Sequence, residues 1–247
     1  MAERPVFVPE IDGAELVREC FFSFRWHAGF AVSQKEKNID ALRDAARAAG
    51  LSPLLEISTK SDNKRGRHMS AFHITVSTKA HGRIKLELAF QGSKVFERGG
   101  PFIDLYGKRD DEIGQAKRDH RLKESGNLVG FEFEGFRFPL EPKTAFYDWL
   151  YITFLNDYRD WAPKLYAYAG FTDVEFNPHR SINCQARSAA LFVSLMKRNL
   201  LDEAVGSPQR FIELLSRFNY HPDLRPEHLD KPSFADSQLP DQYSLPG

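Results

Sequence analysis

Apolar residues change their spacing several times along the chain, and each change marks an element. The run CFFSFRWHAGFAV, from Cys20 to Val32, is dense in aromatic and β-favouring residues and predicts strand. SQKEKNIDALRDAARAAG then switches to helical spacing, with Ile39, Leu42, Ala46 and Ala49 on one side and charges on the other. Ser33 and Glu36 stand in capping-box spacing at its start, and Gly50 marks its stop. Such a helix covers a core rather than carrying chemistry.

Between residues 53 and 85 the pattern predicts a short strand around LLEIS, a polar basic loop STKSDNKRGRH, a strand AFHITVS and a turn KAHGR. A helix follows over ELAFQGSKVF. After GGPF, the stretch DDEIGQAKRDHRLKES reads as a charged surface helix ended by Gly126. FEFEGFRF alternates aromatic and polar residues around Gly135, which suits a bulged strand or a tight hairpin.

PLEPKTAFYDWLYITFL predicts a central helix with proline in its first turn, because Phe146, Trp149, Leu150 and Phe154 make a wide apolar stripe. The segment FTDVEFNPHRSIN reads as a loop, and CQARSAALFVSLMKRNLL and PQRFIELLSRF read as helices. The last thirty residues carry no periodic pattern. Helices and strands mix without regular βαβ alternation, so the expected class is α+β, helix-rich.

In ELAFQGSKVF the apolar pattern is interrupted in a way that changes the picture. At about 100° per residue a continuous helix places Glu87, Phe90, Gln91 and Lys94 on one face, within roughly a quadrant. Leu86, Leu88 and Val95 flank that face. A carboxylate, an amide and an amine among bulky apolar residues are either a solvated ion pair on a surface helix or the lining of a pocket. If they are buried, Glu87 and Lys94 shift each other's titration toward values useful for acid, base or nucleophilic work.

Composition narrows the remaining choices. The 247 residues are 42% hydrophobic, enough for one large core, and Lys plus Arg balance Asp plus Glu at 34 each, so any polyanion must be met by a local patch. Cys20 and Cys184 are too few for a disulfide framework, and neither they nor His27, His73 and His179 have metal-ligand spacing, so no metal is assigned. Trp26 and His27 read as core. The N-terminus has no apolar signal-like region and no apolar run reaches membrane-spanning length, so a soluble, cytoplasmic protein without a membrane partner is expected.

The stretch E-x-x-F-Q-x-x-K-V, from Glu87 through Phe90, Gln91 and Lys94, resembles the E-x-[AY]-[YF]-Q-A-x-K-F helix of the NADAR family, the YbiA-like N-glycosidases of NAD and ADP-ribose chemistry. Upstream, Ser58-Thr59-Lys60 and Ser70-Ala71-Phe72 resemble the family's F-x-S and L-S-N-F segments, with Ala71 where asparagine is usual. Downstream, residues 171 to 198 resemble its closing D-x-x-W-G-x-G-x-x-G-x-N loop and following helix. There Asp173 matches the acid, Phe176 the tryptophan, Asn183 the asparagine and Lys197 or Arg198 the helix-end base, and the loop glycines are missing. RWHAGFAVSQKEKNIDAL and EFNPHRSINCQARSAALF are similar to a narrower branch, the NADAR antitoxins paired with DarT-type DNA ADP-ribosyltransferase toxins.

The resemblance implies a NADAR-type α+β domain over residues 51–218, preceded by a strand and helix elaboration over 1–50 and followed by a tail over 219–247. It implies removal of ADP-ribose from guanine in DNA, with ADP-ribosylated DNA as substrate, ADP-ribose as product, a DarT-type toxin as functional partner and no cofactor. Glu87 and Lys94 become the candidate catalytic pair, the amine as proton donor, nucleophile or counter-ion. Candidate ligand contacts are Ser58, Lys60, Phe72, Phe90, Gln91, Asp173, Phe176 and Asn183, where Asn183 is equally a good N-cap. Lys64, Arg65 and Arg67, beside Lys60, form a basic loop able to hold DNA phosphates or simply to be solvated. A glycosidase acting on a free nucleotide or riboflavin-pathway metabolite, and an ADP-ribose-binding module that neutralises a partner without catalysis, are the competing readings.

Overall fold

The computed structural model describes residues 1–220; from residue 221 on, the tail expected over 219–247 lies outside the described residues. β1 (Ala2–Pro9) and β2 (Val17–Phe24) form a long antiparallel hairpin, with Ala2 opposite Phe24 and Pro9 opposite Val17. The strand expected to run on to Val32 therefore stops at Phe24, and the proline-bearing stretch before it is a strand as well. α1 (Val32–Ala48) packs Ile39, Leu42 and Ala46 against Val6, Val8 and Phe24 of that hairpin. The Ser33–Glu36 box does not form, since Ala31 is the N-cap, and Ala49 is exposed. At the other end Gly50, at φ 82°, allows the Leu51 and Gly50 amides to bond the Ala46 and Arg47 carbonyls, a Schellman ending that only a left-handed residue permits.

β3 (Leu54–Glu56) is followed by α2 (Lys64–His68), capped by the Asn63 side chain accepting the Arg65 amide at 2.9 Å. β4 (Thr75–Thr78) and β5 (Gly82–Lys85) make a two-stranded hairpin. The strand starts later than AFHITVS suggests because the amides of His73 and Ile74 turn back to the Ser70 carbonyl. α3 (Leu86–Gly92) comes next and is buried at all seven residues. β6 (Lys94–Phe96) leaves it directly, so Lys94 lies on a strand and not on the continuous helix expected from Glu87 to Phe96.

The charged helix expected over residues 110–125 is broken into a 3-10 turn, α4 (Ile113–Ala116) and α5 (Arg121–Glu124). Ile113 and Ala116 are its buried apolar residues, packed with Leu88 and Leu105, which is little hydrophobic burial to hold a longer helix there. β7 (Leu128–Phe133) and β8 (Phe136–Phe138) follow, and with β6 they form a three-stranded antiparallel sheet. Glu134 at φ 52° and Gly135 at φ 80° make the two-residue turn that right-twisted strands favour.

α6 (Ala145–Asn156) is the expected central helix, buried on nearly every side, but Pro139 and Pro142 precede it and are not its first turn. β9 (Gly170–Thr172) lies where a loop was expected. α7 (Gln185–Lys197) packs on α6, and Asn199 at φ 57° ends it before α8 (Leu201–Gly206) and α9 (Pro208–Ser216). The main sheet has the order β2-β1-β9-β3, with β9 antiparallel to β1 and parallel to β3. The fold is α+β, and no helix among the described residues is long and apolar enough to cross a membrane.

Gly92 marks how tightly α3 is seated. A Cβ there would lie 2.5 Å from Cε1 of Tyr106 and 2.9 Å from the Phe102 carbonyl. Gly92→Ala is expected to cost about 1–3 kcal/mol of stability through overpacking. Chemical denaturation of the purified variant checks this, and a midpoint equal to wild type would show that the ring yields freely.

Candidate active site

One face of α3 forms the floor of a cavity of about 710 Å³, within the range of small-molecule sites. Glu87, Phe90 and Gln91 come from the helix and Lys94 from the start of β6. Ala71 and Phe72 line a second side, Lys117, Arg118 and Lys123 a third, the approach to α6 from Pro139 to Tyr147 a fourth, and Asp173 to Gln185 the last. The helix is held under this cavity from both ends. The Leu86 amide bonds the Ile74 carbonyl at 3.0 Å, and the Ser93 hydroxyl donates to the Ala89 carbonyl at 2.7 Å while meeting the Tyr106 hydroxyl at 2.8 Å. Gly100, at φ 90°, passes so close to Lys94 that a Cβ would lie 2.2 Å from its carbonyl oxygen.

The polar side chains form a chain of bonds. Gln91 Nε2 donates to Glu87 Oε1 at 2.9 Å, and Lys94 Nζ donates to Gln91 Oε1 at 2.6 Å. An amide can face both, giving its N–H to the carboxylate and its carbonyl to the amine. Lys117 Nζ adds an ion pair to Glu87 Oε1 at 3.4 Å. Lys94 Nζ also lies 4.9 Å over the Phe90 ring, whose stack with Phe131 and Phe146 supplies the apolar wall. Removal from water pushes the Lys94 amine down to about 8; the Glu87 charge opposes this, and the Lys117 charge adds to it.

Asp173 is buried at the cavity wall. Its Oδ2 accepts Gln185 Nε2 at 2.9 Å, while Gln185 Oε1 accepts the Ala71 amide at 2.9 Å, so one amide ties this wall to that of Ala71 and Phe72. Burial raises the Asp173 carboxyl to about 6. Phe176 lines the cavity with its ring 6.1 Å from Phe7, and Phe72 lies under Lys117 at 5.6 Å. Asn183 lines the cavity too, but the N-cap of α7 is Cys184, and no side chain caps that end. Six cationic residues face the lumen, namely Lys94, Lys117, Arg118, Lys123, Lys143 and Arg180, against the carboxylates of Glu87, Glu141 and Asp173. A chain without net charge thus concentrates positive potential at one site.

Not every residue singled out in the sequence reaches this cavity. Ser58 is buried beneath it, where its hydroxyl accepts the Lys60 amide at 3.3 Å and bonds the Glu56 carboxyl. Lys60 and the α2 residues Lys64, Arg65 and Arg67 do not line it, and the Arg67 guanidinium donates to the Ser61 carbonyl. Arg198 is taken up by the carbonyls of Glu10, Asp12, Gly13 and Glu15, and Lys197 lies over the Tyr166 ring. Conversely, Lys117, Tyr147 and Gln185 line the cavity without having been anticipated. Lys117 lay in a stretch whose charge pattern reads as surface, and no periodicity separates Gln185 from its neighbours.

Fold and site together define an α+β protein built around a deep, aromatic-walled, cation-rich cavity suited to an anionic ligand. The family model of the DarT1-associated NADAR antitoxins matches residues 2–223, and the chain belongs to that family. Among curated proteins none matches the sequence. Among the described residues no group of three or more His, Cys, Asp and Glu side chains is placed to hold a metal ion.

The buried amine has a thermodynamic signature. Its folded-state value, about 8, lies below the ordinary 10.5, so between those limits the unfolded chain binds more protons. Wild-type stability is therefore expected to rise with pH across that window relative to Lys94→Met, whose side chain cannot titrate. Denaturant unfolding of both proteins at several pH values measures the difference; parallel curves would place the amine in contact with water.

Proposed function

We propose that this antitoxin is an N-glycosidase that removes ADP-ribose from guanine bases of DNA and so reverses the modification made by a DarT-type toxin. The observation that carries the reading is the bonded chain Glu87–Gln91–Lys94 on the floor of a cation-rich cavity.

Cleavage of the bond between ribose C1 and the guanine amino nitrogen leaves positive charge on the sugar and negative charge on the departing base. Glu87 faces the developing cation as a carboxylate. Lys94, with an amine at about 8, holds its proton at neutral pH yet releases it readily, which suits a donor to the leaving guanine. Water adds to C1 as its proton passes to the now neutral Lys94 amine, giving free ADP-ribose and intact guanine and restoring the ammonium. Gln91 keeps acid and carboxylate in register, Asp173 and Asn183 offer acceptors to ribose hydroxyls, and Phe72 offers a ring face to a purine. The rim cations hold the diphosphate. Lys64 and Arg65, exposed on α2, supply charge for neighbouring DNA phosphates, with Lys60 and Arg67 beside them.

The test is incubation with guanine-ADP-ribosylated DNA and mass-spectrometric measurement of released ADP-ribose. Glu87→Gln and Lys94→Met are each expected to lower turnover by roughly 10²–10⁴-fold with the fold intact. DNA that stays modified while a free nucleoside adduct is cleaved would assign the site to a metabolite. Unchanged neutralisation of the toxin by both variants would assign it to binding without catalysis.

A further inference from the structure

Behind Asp173 stands a second carboxyl group that no motif marks. Glu56, the last residue of β3, is fully buried, and the parallel pairing of β3 with β9 sets it opposite Thr172. Its Oε2 accepts the Thr172 hydroxyl at 2.6 Å, and its two oxygens accept the Val174 amide at 3.1 and 3.3 Å. Glu56 thus grips the residues on either side of Asp173. Asp173 stands between these two gripped residues, where β9 ends and a turn begins with the Phe176 amide bonding the Asp173 carbonyl at 3.0 Å, and its side chain lines the cavity and meets Gln185.

We propose that Glu56 is a positioning residue that fixes Asp173 at the cavity wall, so that affinity for a ribose-bearing ligand depends on a carboxyl that never touches the ligand. The inference rests on the functional reading above for the ligand but not for the grip itself. Several charged or titratable groups act on the pair from the packed elements. Arg43 of α1 and Ser58 act on Glu56; Arg4 of β1, Glu175, Tyr151 of α6 and Cys184 of α7 act on or feel Asp173. Burial, and then the neighbouring Asp173 charge, raise Glu56 to about 8, whereas Asp173 reaches only about 6. Both carboxyls are raised by burial and act on each other, so near neutral pH the pair holds one proton between them. As pH rises through about 8, a second carboxylate forms behind the first and the arrangement loosens.

Glu56→Gln imitates the protonated acid and cannot ionise, and Glu56→Ala removes the grip. Calorimetric titration with ADP-ribose at neutral pH is expected to give Glu56→Gln an affinity within about twofold of wild type and to weaken Glu56→Ala roughly tenfold or more. As pH passes 8, wild type is expected to lose affinity relative to Glu56→Gln, while the ratio of their turnover rates at saturating substrate changes little. Wild-type affinity in Glu56→Ala, with the fold intact, or a wild-type to Gln ratio that ignores pH, would overturn the proposal. A second readout needs no ligand: melting temperatures of wild type, Glu56→Gln, Asp173→Asn and the double variant. Glu56→Gln is expected to gain on wild type as pH rises from about 4.5 to about 8 and to level off above, and the gain to shrink in the Asp173→Asn background; a gain unchanged there sinks the proposal. Wild type that fails to bind ADP-ribose while the melting coupling holds counts against the ligand reading and not against the grip.

Discussion

An ammonium group and a carboxylate held beside a wall of phenylalanines have to be joined by something that can bond both, and in this protein that joint is the Gln91 amide. Its carbonyl takes Lys94 and its amino group gives to Glu87, with both bonds under 3 Å. Reversing the amide would set donor against donor at Lys94 and acceptor against acceptor at Glu87. The geometry is therefore close to obligatory, and the local backbone serves it. The helix stops at Gly92 so that the chain can turn Lys94 into a strand, and Gly100 gives that strand the close neighbour that a side chain would forbid.

The opposite wall follows the same logic with different parts. Gln185 is again an amide between unlike groups, the Asp173 carboxylate and the Ala71 amide, and it draws the start of α7, the end of β9 and the turn before β4 around one lumen. β9 can serve this wall because it is paired on both sides, antiparallel to β1 and parallel to β3. The N-terminal hairpin thereby supports the strand that leads into Asp173. The rim cations complete the site, and their charge is local because the chain as a whole is balanced.

Much of this was legible in the residues. The helical spacing of Ile39, Leu42 and Ala46, the stripe on α6 and the hairpin at Gly135 are strong periodic signals and appear in the structure. Glu87, Phe90, Gln91 and Lys94 were expected to share a face and do meet, although the helix ends before Lys94; a final helical turn at Ser93 preserves the direction that a longer helix would have given. The failures have physical causes. β9 has three residues, too few for alternation to register, and its burial comes from partners over a hundred residues away. The charged stretch around Lys117 reads as a surface helix, yet it is a set of short turns beside the cavity, where Arg121 pairs locally with Asp119 and across to Asp104. Glu56 carried no signal because a lone carboxylate in a short apolar strand shows its burial only after folding.

The proposed cleavage turns on Lys94 giving a proton from inside the bonded chain. The most direct measurement is the pH dependence of a single turnover on guanine-ADP-ribosylated DNA, with wild type and Lys94→Met compared over pH 6 to 10. The account predicts a wild-type rate that falls as pH rises through about 8, the value to which burial lowers the amine, and a slow Lys94→Met rate without that fall. A Lys94→Met enzyme that matches wild type across the range, or a wild-type rate that climbs as the amine loses its proton, would contradict it.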